Sequence, residues 1–303
     1  MRGSSNSHTI QLVEVPIQGL DAAVMKNTNY DLSFITCFGY NALIVRYESE
    51  EAARSESCSE DRHGEYILNG GGKSHGDSIT QCSNEPNGLS FASAVQNAYA
   101  RKLDIINRGF SGYNTNHALE VLPQIFPIPE QAKICFLLIF FGANDLNRGP
   151  STNQHVPLPQ FVEYLKKIIY PPVDESTCRD TNAGWGNLDE PRWVKDTREY
   201  RDALIKIGEE GGLRVVDIWS AFMNACGWKE DDDLALMPGL EENGKHEELR
   251  KLLYDGLHFS GEGYKILFEA VTKCIAEKLP SHTSKPDNID NVVKMQWENY
   301  LGW

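Results

Sequence analysis

From Ile134 to Phe141 the chain reads Ile-Cys-Phe-Leu-Leu-Ile-Phe-Phe, apolar at every position. Successive side chains of a strand point to opposite faces, so a strand with one wet face alternates apolar and polar residues. An unbroken apolar run needs cover on both faces, as a central strand of a parallel sheet between two layers of helices has. The run is far short of the roughly 20 apolar residues that span a bilayer.

The flanking sequence supplies those layers. Leu89 to Leu103 carries near-helical apolar spacing, followed by a strand-like Leu103 to Asn107 and a Gly-rich loop, Arg108 to Gly112. Helical patterns recur at His117 to Phe126, Phe161 to Ile169, Val194 to Glu210 and Gly261 to Leu279. Gly211-Gly212 separates the third of these from a strand, Leu213 to Ile218. Strands alternating with helices predict a parallel sheet covered on both sides, with functional groups in the loops at the strands' carboxyl ends. Earlier in the chain, Leu32 to Phe38 and Ala42 to Tyr47 read as strands and the polar run Glu48 to Gly64 as a loop. Residues 1–75 are therefore expected to form an atypical N-terminal segment that holds the first strand plus an insertion. Residues 76–279 make the main domain, and 280–303 a tail in which Val292, Val293, Trp297, Tyr300 and Leu301 form a short docked helix.

Composition narrows the function classes. The 303 residues include 43 Asp and Glu against 29 Lys and Arg, a formal charge of −14 that repels nucleic acid. The seven cysteines are widely spaced and contain no Cys-x-x-Cys pair, which argues against a disulfide framework or a zinc site and for a reducing compartment. Met1 to Asn6 lacks the apolar core of a signal peptide, so a cytoplasmic location without membrane insertion is expected. The acidic cluster Glu230 to Asp233 lacks calcium-loop spacing and reads as solvated surface. Histidines 8, 63, 117, 155, 246 and 282 show no ligand spacing, and neither a metal nor any other cofactor is expected.

The stretch Gly71 to Thr80, GGKSHGDSIT, admits two chemistries. Gly72-Lys73-Ser74 resembles the end of a phosphate-binding loop, but the position that needs the first glycine is Ile67, and Gly76 interrupts the helix that should follow. Gly76-Asp77-Ser78 instead suits a turn presenting a nucleophilic serine, which requires a base, a group orienting that base and donors for an oxyanion. Further along stand Asn107 to Asn114 with Gly112, then Gly142-Ala143-Asn144-Asp145 after the apolar run, then Asp255-Gly256-Leu257-His258-Phe259-Ser260 before the last helix.

These four blocks, in this order, resemble the GDSL/SGNH hydrolase family from about Gly76 to Leu279, and their wording is most similar to its isoamyl acetate-hydrolysing esterase branch. The resemblance implies a flavodoxin-like three-layer α/β/α sandwich with a mostly parallel sheet, the SGNH hydrolase fold. It implies a serine esterase that hydrolyses small, acetate-type carboxylic esters through an acyl-enzyme. Ser78, His258 and Asp255 would be the catalytic triad, and the backbone N–H groups of Ser78 and Gly112 with the Asn144 amide the oxyanion hole. Asp77 and Asp145 would support the surrounding loops. A serine hydroxyl needs a base near neutral pKa, and Asp255, three residues before His258, can reach the far imidazole nitrogen within one turn. Seen alone, each residue has a plainer reading: Asp255 as a helix cap, His258 as a surface residue, Gly112 as a turn glycine, Asn144 as a turn residue bonding its own backbone. Phe110, Tyr113, Leu146 and Phe259, beside the motifs, line an acyl or alcohol pocket or pack the core.

Three departures from the family pattern set further expectations. The family leads into its serine with an apolar strand, whereas Asn69 to His75 is polar and Gly-rich; the missing strand would be either Asp31 to Phe38 or a shortened Glu65 to Leu68. His75 stands where an apolar or aromatic residue is usual, and either disturbs the site or lies on an exposed loop. Tyr170 to Glu175 resembles the end of a strand whose apolar body is absent, so the sheet is expected to be one strand short. A loosely held Ser78 would make the chain a catalytically impaired member with a binding role. A carbohydrate O-acetylesterase is the other alternative, since specificity depends on pocket shape and not on the motif residues.

Overall fold

The computed structural model describes residues 31–38, 42–48, 70–84, 88–100, 103–125, 133–149, 152–170 and 192–278. The expectations for the tail helix, for a strand at 65–68 and for the segment 171–175 lie outside these residues. Six strands form one sheet: β1 (Asp31–Phe38), β2 (Ala42–Glu48), β3 (Gly70–Gly76), β4 (Asp104–Gly109), β5 (Lys133–Phe141) and β6 (Arg214–Val216). Their order is β1-β6-β2-β5-β3-β4, with β1 also pairing β2 and β5.

β5 sits at the centre, as its sequence demands, with Ile134 and every residue from Phe136 to Phe141 buried. It runs parallel to β3, and β3 runs parallel to β4, so the three strands bring their carboxyl ends to one edge of the sheet. β2 is antiparallel to both β1 and β5, which makes the sheet mixed while leaving its other long pairings parallel.

Among the described residues eight helices follow in chain order: α1 (Ser78–Gln81), α2 (Phe91–Ala98), α3 (Thr115–Ile125), α4 (Leu158–Ile169), α5 (Val194–Gly211), α6 (Ile218–Ala225), α7 (Glu247–Leu252) and α8 (Gly261–Lys278). α2, α6 and α7 pack on α8, whereas α3, α4 and α5 pack in sequence with one another, giving the two helical layers of a three-layer sandwich. One continuous apolar core joins β5 to both layers through Phe161, Leu165, Leu204, Leu267 and Val271. Among the described residues no helix is long and apolar enough to cross a membrane.

The lead-in to the serine differs from its sequence reading. Gly70–Gly76 is neither a loop nor an insertion but a full strand, paired along its length with β4 on one side and β5 on the other. Lys73, Ser74 and His75 are buried within it. His75 is not on an exposed loop: its Nδ1 donates to the Arg108 carbonyl at 3.1 Å and its ring packs edge-on against Phe141. Burial lowers its pKa to about 4, so it stays neutral and serves as one more aromatic of the core.

Candidate active site

The turn that carries Ser78 forms where β3 stops. Asp77 N–H donates to the Phe140 carbonyl of β5 at 3.2 Å, and Phe110 N–H to the Gly76 carbonyl at 2.8 Å, so both neighbouring strands hold the turn. Asp77 then caps α1, its carboxylate accepting from Ile79 N–H at 2.9 Å. Ser78 is the first helical residue, and its N–H has no acceptor within the helix. Gly76 is required by close approach: a Cβ there would lie 2.4 Å from the Phe140 carbonyl oxygen and 2.0 Å from Thr80 Oγ1. From the far layer, Tyr264 of α8 donates its hydroxyl to the Ile79 carbonyl at 2.7 Å.

The loop from Leu253 to Phe259 brings the other two members. It is closed by a bridge between those residues and by the Tyr254 N–H bond to the His258 carbonyl at 3.1 Å. Inside it, Asp255 Oδ1 accepts from Leu257 N–H at 2.9 Å and His258 N–H at 2.7 Å, while Gly256 takes a φ of +89° that allows the chain to turn back. Asp255 Oδ2 lies 2.6 Å from His258 Nδ1, and His258 Nε2 lies 2.8 Å from Ser78 Oγ across 180 residues of sequence. A carboxylate at Nδ1 keeps the imidazole proton there, leaving Nε2 to accept from the serine hydroxyl. Burial opposes ionisation of Asp255, but the hydrogen bonds from the His258 side chain and from the His258 and Leu257 N–H groups outweigh it and hold its pKa below the ordinary value. Asp255 caps no helix: one oxygen fixes the turn and the other meets the imidazole. His258 is half-buried, with the Tyr254 ring stacked over it at 5.7 Å.

The third side is made by two loops. Gly112 has a φ of +79°, and the Tyr113 carbonyl beyond it accepts from Asn144 Nδ2 at 2.9 Å. Asn144 is buried in the turn that ends β5, not bonded back on its own backbone through its side chain. Asp145 is fully buried and accepts from the Thr115 hydroxyl and, at 3.0 Å, from Thr115 N–H, the first helical N–H of α3. Asn114 and His117 complete that helix start reciprocally, so α3 begins two residues earlier than its periodicity predicts. Burial pushes Asp145 up to about 7, and burial together with the nearby Asp145 charge pushes Asp77 up to about 7, against the Ile79 N–H and the Arg192 guanidinium. The two carboxyls therefore brace loops beside the site, as supporting residues would.

Arg192 belongs to this side and carries no sequence signal. It follows a long stretch without apolar periodicity, yet its Nε donates to the Ala143 carbonyl at 2.5 Å and its Nη2 lies 3.4 Å from Asn144 Oδ1. It also lines a cavity of about 100 Å³ behind the loop of Asp255 and His258, with Ala143, Leu146, Phe222, Met223 and Leu257. Of the four apolar pocket candidates, Leu146 lines this cavity, Phe259 packs in the core, and Phe110 and Tyr113 stack on each other. The arrangement can activate a hydroxyl, take its proton and present amide donors beside it.

The family model for GDSL-like lipases and acylhydrolases matches residues 74–266. A GDSL esterase/lipase of Arabidopsis thaliana is 31% identical over 233 residues, which cover 70% of this chain and 87% of that protein. The isoamyl acetate-hydrolyzing esterase of Saccharomyces cerevisiae is 31% identical over 228 residues, covering 70% and 84%. An isoamyl acetate-hydrolyzing esterase 1 homolog of Homo sapiens is 28% identical over 224 residues, covering 68% and 81%.

Proposed function

The chain belongs to the GDSL-like lipase/acylhydrolase family and is a carboxylic ester hydrolase; from that premise we propose that it cleaves small, acetate-type esters through a covalent acyl-serine. The observation that carries this reading is the 2.8 Å contact of His258 Nε2 with Ser78 Oγ while Nδ1 faces Asp255 at 2.6 Å. In the acylation step Ser78 Oγ attacks the ester carbonyl carbon as its proton passes to His258 Nε2. The ionised Asp255 stabilises the imidazolium, which then protonates the departing alkoxide. Water, deprotonated by the same imidazole, attacks the acyl-serine; the acyl–Oγ bond breaks, the imidazolium returns its proton to Ser78 Oγ, and the acid leaves with the enzyme in its starting state. Negative charge on the carbonyl oxygen in both steps falls to the Ser78 and Gly112 N–H groups and Asn144 Nδ2, each donor worth about 3 kcal/mol where water is excluded. Asp77 and Asp145 transfer no proton and hold the loops in register.

Nothing in this scheme calls for a metal or other cofactor, and the net charge of −14 favours a small-molecule ester over nucleic acid as partner. The cysteine pattern supports a cytoplasmic setting. The impaired-enzyme alternative assumes a loosely held nucleophile; pairing of β3 along both edges favours an active enzyme instead. Ser78→Ala is expected to lower turnover of a short-chain nitrophenyl ester on the order of 10⁴-fold or more without changing the melting temperature. A fluorophosphonate probe should label the wild-type protein at Ser78 alone. Unchanged turnover in the variant would eliminate the mechanism.

A further inference from the structure

We infer that Arg192 is a positioning residue that fixes which end of the Asn144 amide faces Ser78. The inference rests on the reading of Asn144 as an oxyanion donor. An amide side chain has nearly the same shape with its oxygen and nitrogen exchanged, so its partners alone decide which end faces the site. Asn144 Nδ2 donates to the Tyr113 carbonyl at 2.9 Å, and Oδ1 faces Arg192 Nη2 at 3.4 Å. A flipped amide would set oxygen against a carbonyl that only accepts and NH2 against a guanidinium that only donates. With one Nδ2 hydrogen committed to Tyr113, the second is left for the substrate oxygen.

Arg192 can hold this orientation because it is held itself. Its Nε grips the Ala143 carbonyl at 2.5 Å, so one planar fork takes the backbone before Asn144 and the side chain of Asn144 together. A lysine, with its single point of charge, has no such two-point geometry. The contact to Oδ1 is long for a hydrogen bond and is carried as much by charge. A cation beside the amide oxygen draws electron density from the nitrogen and strengthens its N–H as a donor. The same charge is felt at Asp77, where it opposes the effect of burial. In this role Arg192 acts through Asn144.

The test is a double-mutant cycle on the full-length protein with a short-chain nitrophenyl ester, using Arg192→Ala, Asn144→Ala and the double variant. Arg192→Ala is expected to lower kcat about tenfold to a hundredfold with little change in KM, a fraction of what a lost oxyanion donor costs. In the Asn144→Ala background the same change should add no more than about twofold. Millimolar guanidinium should restore part of the activity of Arg192→Ala and none of the double variant, an effect no loss of packing would produce. Losses that multiply, or an unchanged kcat in Arg192→Ala beside a damaged Asn144→Ala, would overturn the inference alone. Full kcat in Asn144→Ala would overturn the oxyanion reading and the inference with it. If Arg192→Ala does not fold by thermal melting, Arg192→Gln takes its place in the cycle with the same expectations at reduced size.

Discussion

Asp77 and Asp145 are carboxyls buried beside the site with pKa values raised from 3.8 to about 7, chiefly by burial. In the unfolded chain each ionises near 3.8; in the folded protein each keeps its proton until about 7. Between those values the folded state binds more protons, so stability falls as pH rises, by up to about 1.4 kcal/mol per pH unit for each group, and levels off above the folded value. Asp145→Asn keeps an acceptor for Thr115 N–H but has nothing to ionise. Urea midpoints of this variant, followed from about pH 4 to about pH 8, are expected to fall less steeply than those of the wild type by one group's share. A slope equal to wild type would mean that Asp145 is ionised in the fold throughout. Residues of this kind divide by how far sequence can disclose them. The meeting of Ser78, His258 and Asp255 was legible because the four blocks fall in order and the proposed chemistry admits few residue types. Arg192 and Thr115 were not, because an arginine or threonine is common and only folding shows what it faces.

At the scale of elements, the strand beneath Ser78 is the instructive failure. Gly70-Gly71-Gly72-Lys73-Ser74-His75-Gly76 has no apolar periodicity and low intrinsic strand preference, the reverse of the Phe136 to Phe141 run beside it. It is a strand because β4 and β5 supply ladders on both sides, a tertiary demand that no local window of sequence contains. Its glycines also serve a purpose that propensity cannot register. Gly76 lies under Thr80 and against the Phe140 carbonyl, and Gly109 of β4 lies so close to α1 that a Cβ would come 2.1 Å from Gln81 N. The short helix carrying Ser78 can therefore rest directly on two strand ends. Gly76→Ala should push α1 away from β5, costing about 1–3 kcal/mol in stability from overpacking. The larger effect should be on rate, since a shift of about 1 Å between Ser78 Oγ and His258 can cost on the order of a hundredfold. Melting temperature and kcat measured on one preparation separate the two; a variant with wild-type kcat would show that the turn is not set by this contact.

Across the whole molecule, the sheet joins strands that are far apart in the chain. β5, β3 and β4 lie side by side and parallel, as in a doubly wound sheet. Among the described strands the other side of β5 is taken by strands from the beginning of the chain. β2 runs antiparallel along β5 with Val45 opposite Leu137, and β1 pairs with β6 at Ile35 and Thr36. The N-terminal hairpin thus closes an edge of β5 that would otherwise present an unpaired ladder next to the most apolar segment of the protein. Because the turn that carries Ser78 is anchored on the Phe140 carbonyl, the hairpin and the site share β5 as their common support. Val45 is opposite Phe34 of β1 as well as Leu137 of β5, so Val45→Pro removes an N–H from within a ladder and is expected to cost about 3 kcal/mol or more. Hydrogen exchange should then quicken at β5 amides before it does in α8, with aggregation rising as the edge opens. Exchange in β5 as slow as wild type, in a variant that folds, would mean that β5 needs no cover on that side and that the hairpin is dispensable to the sheet.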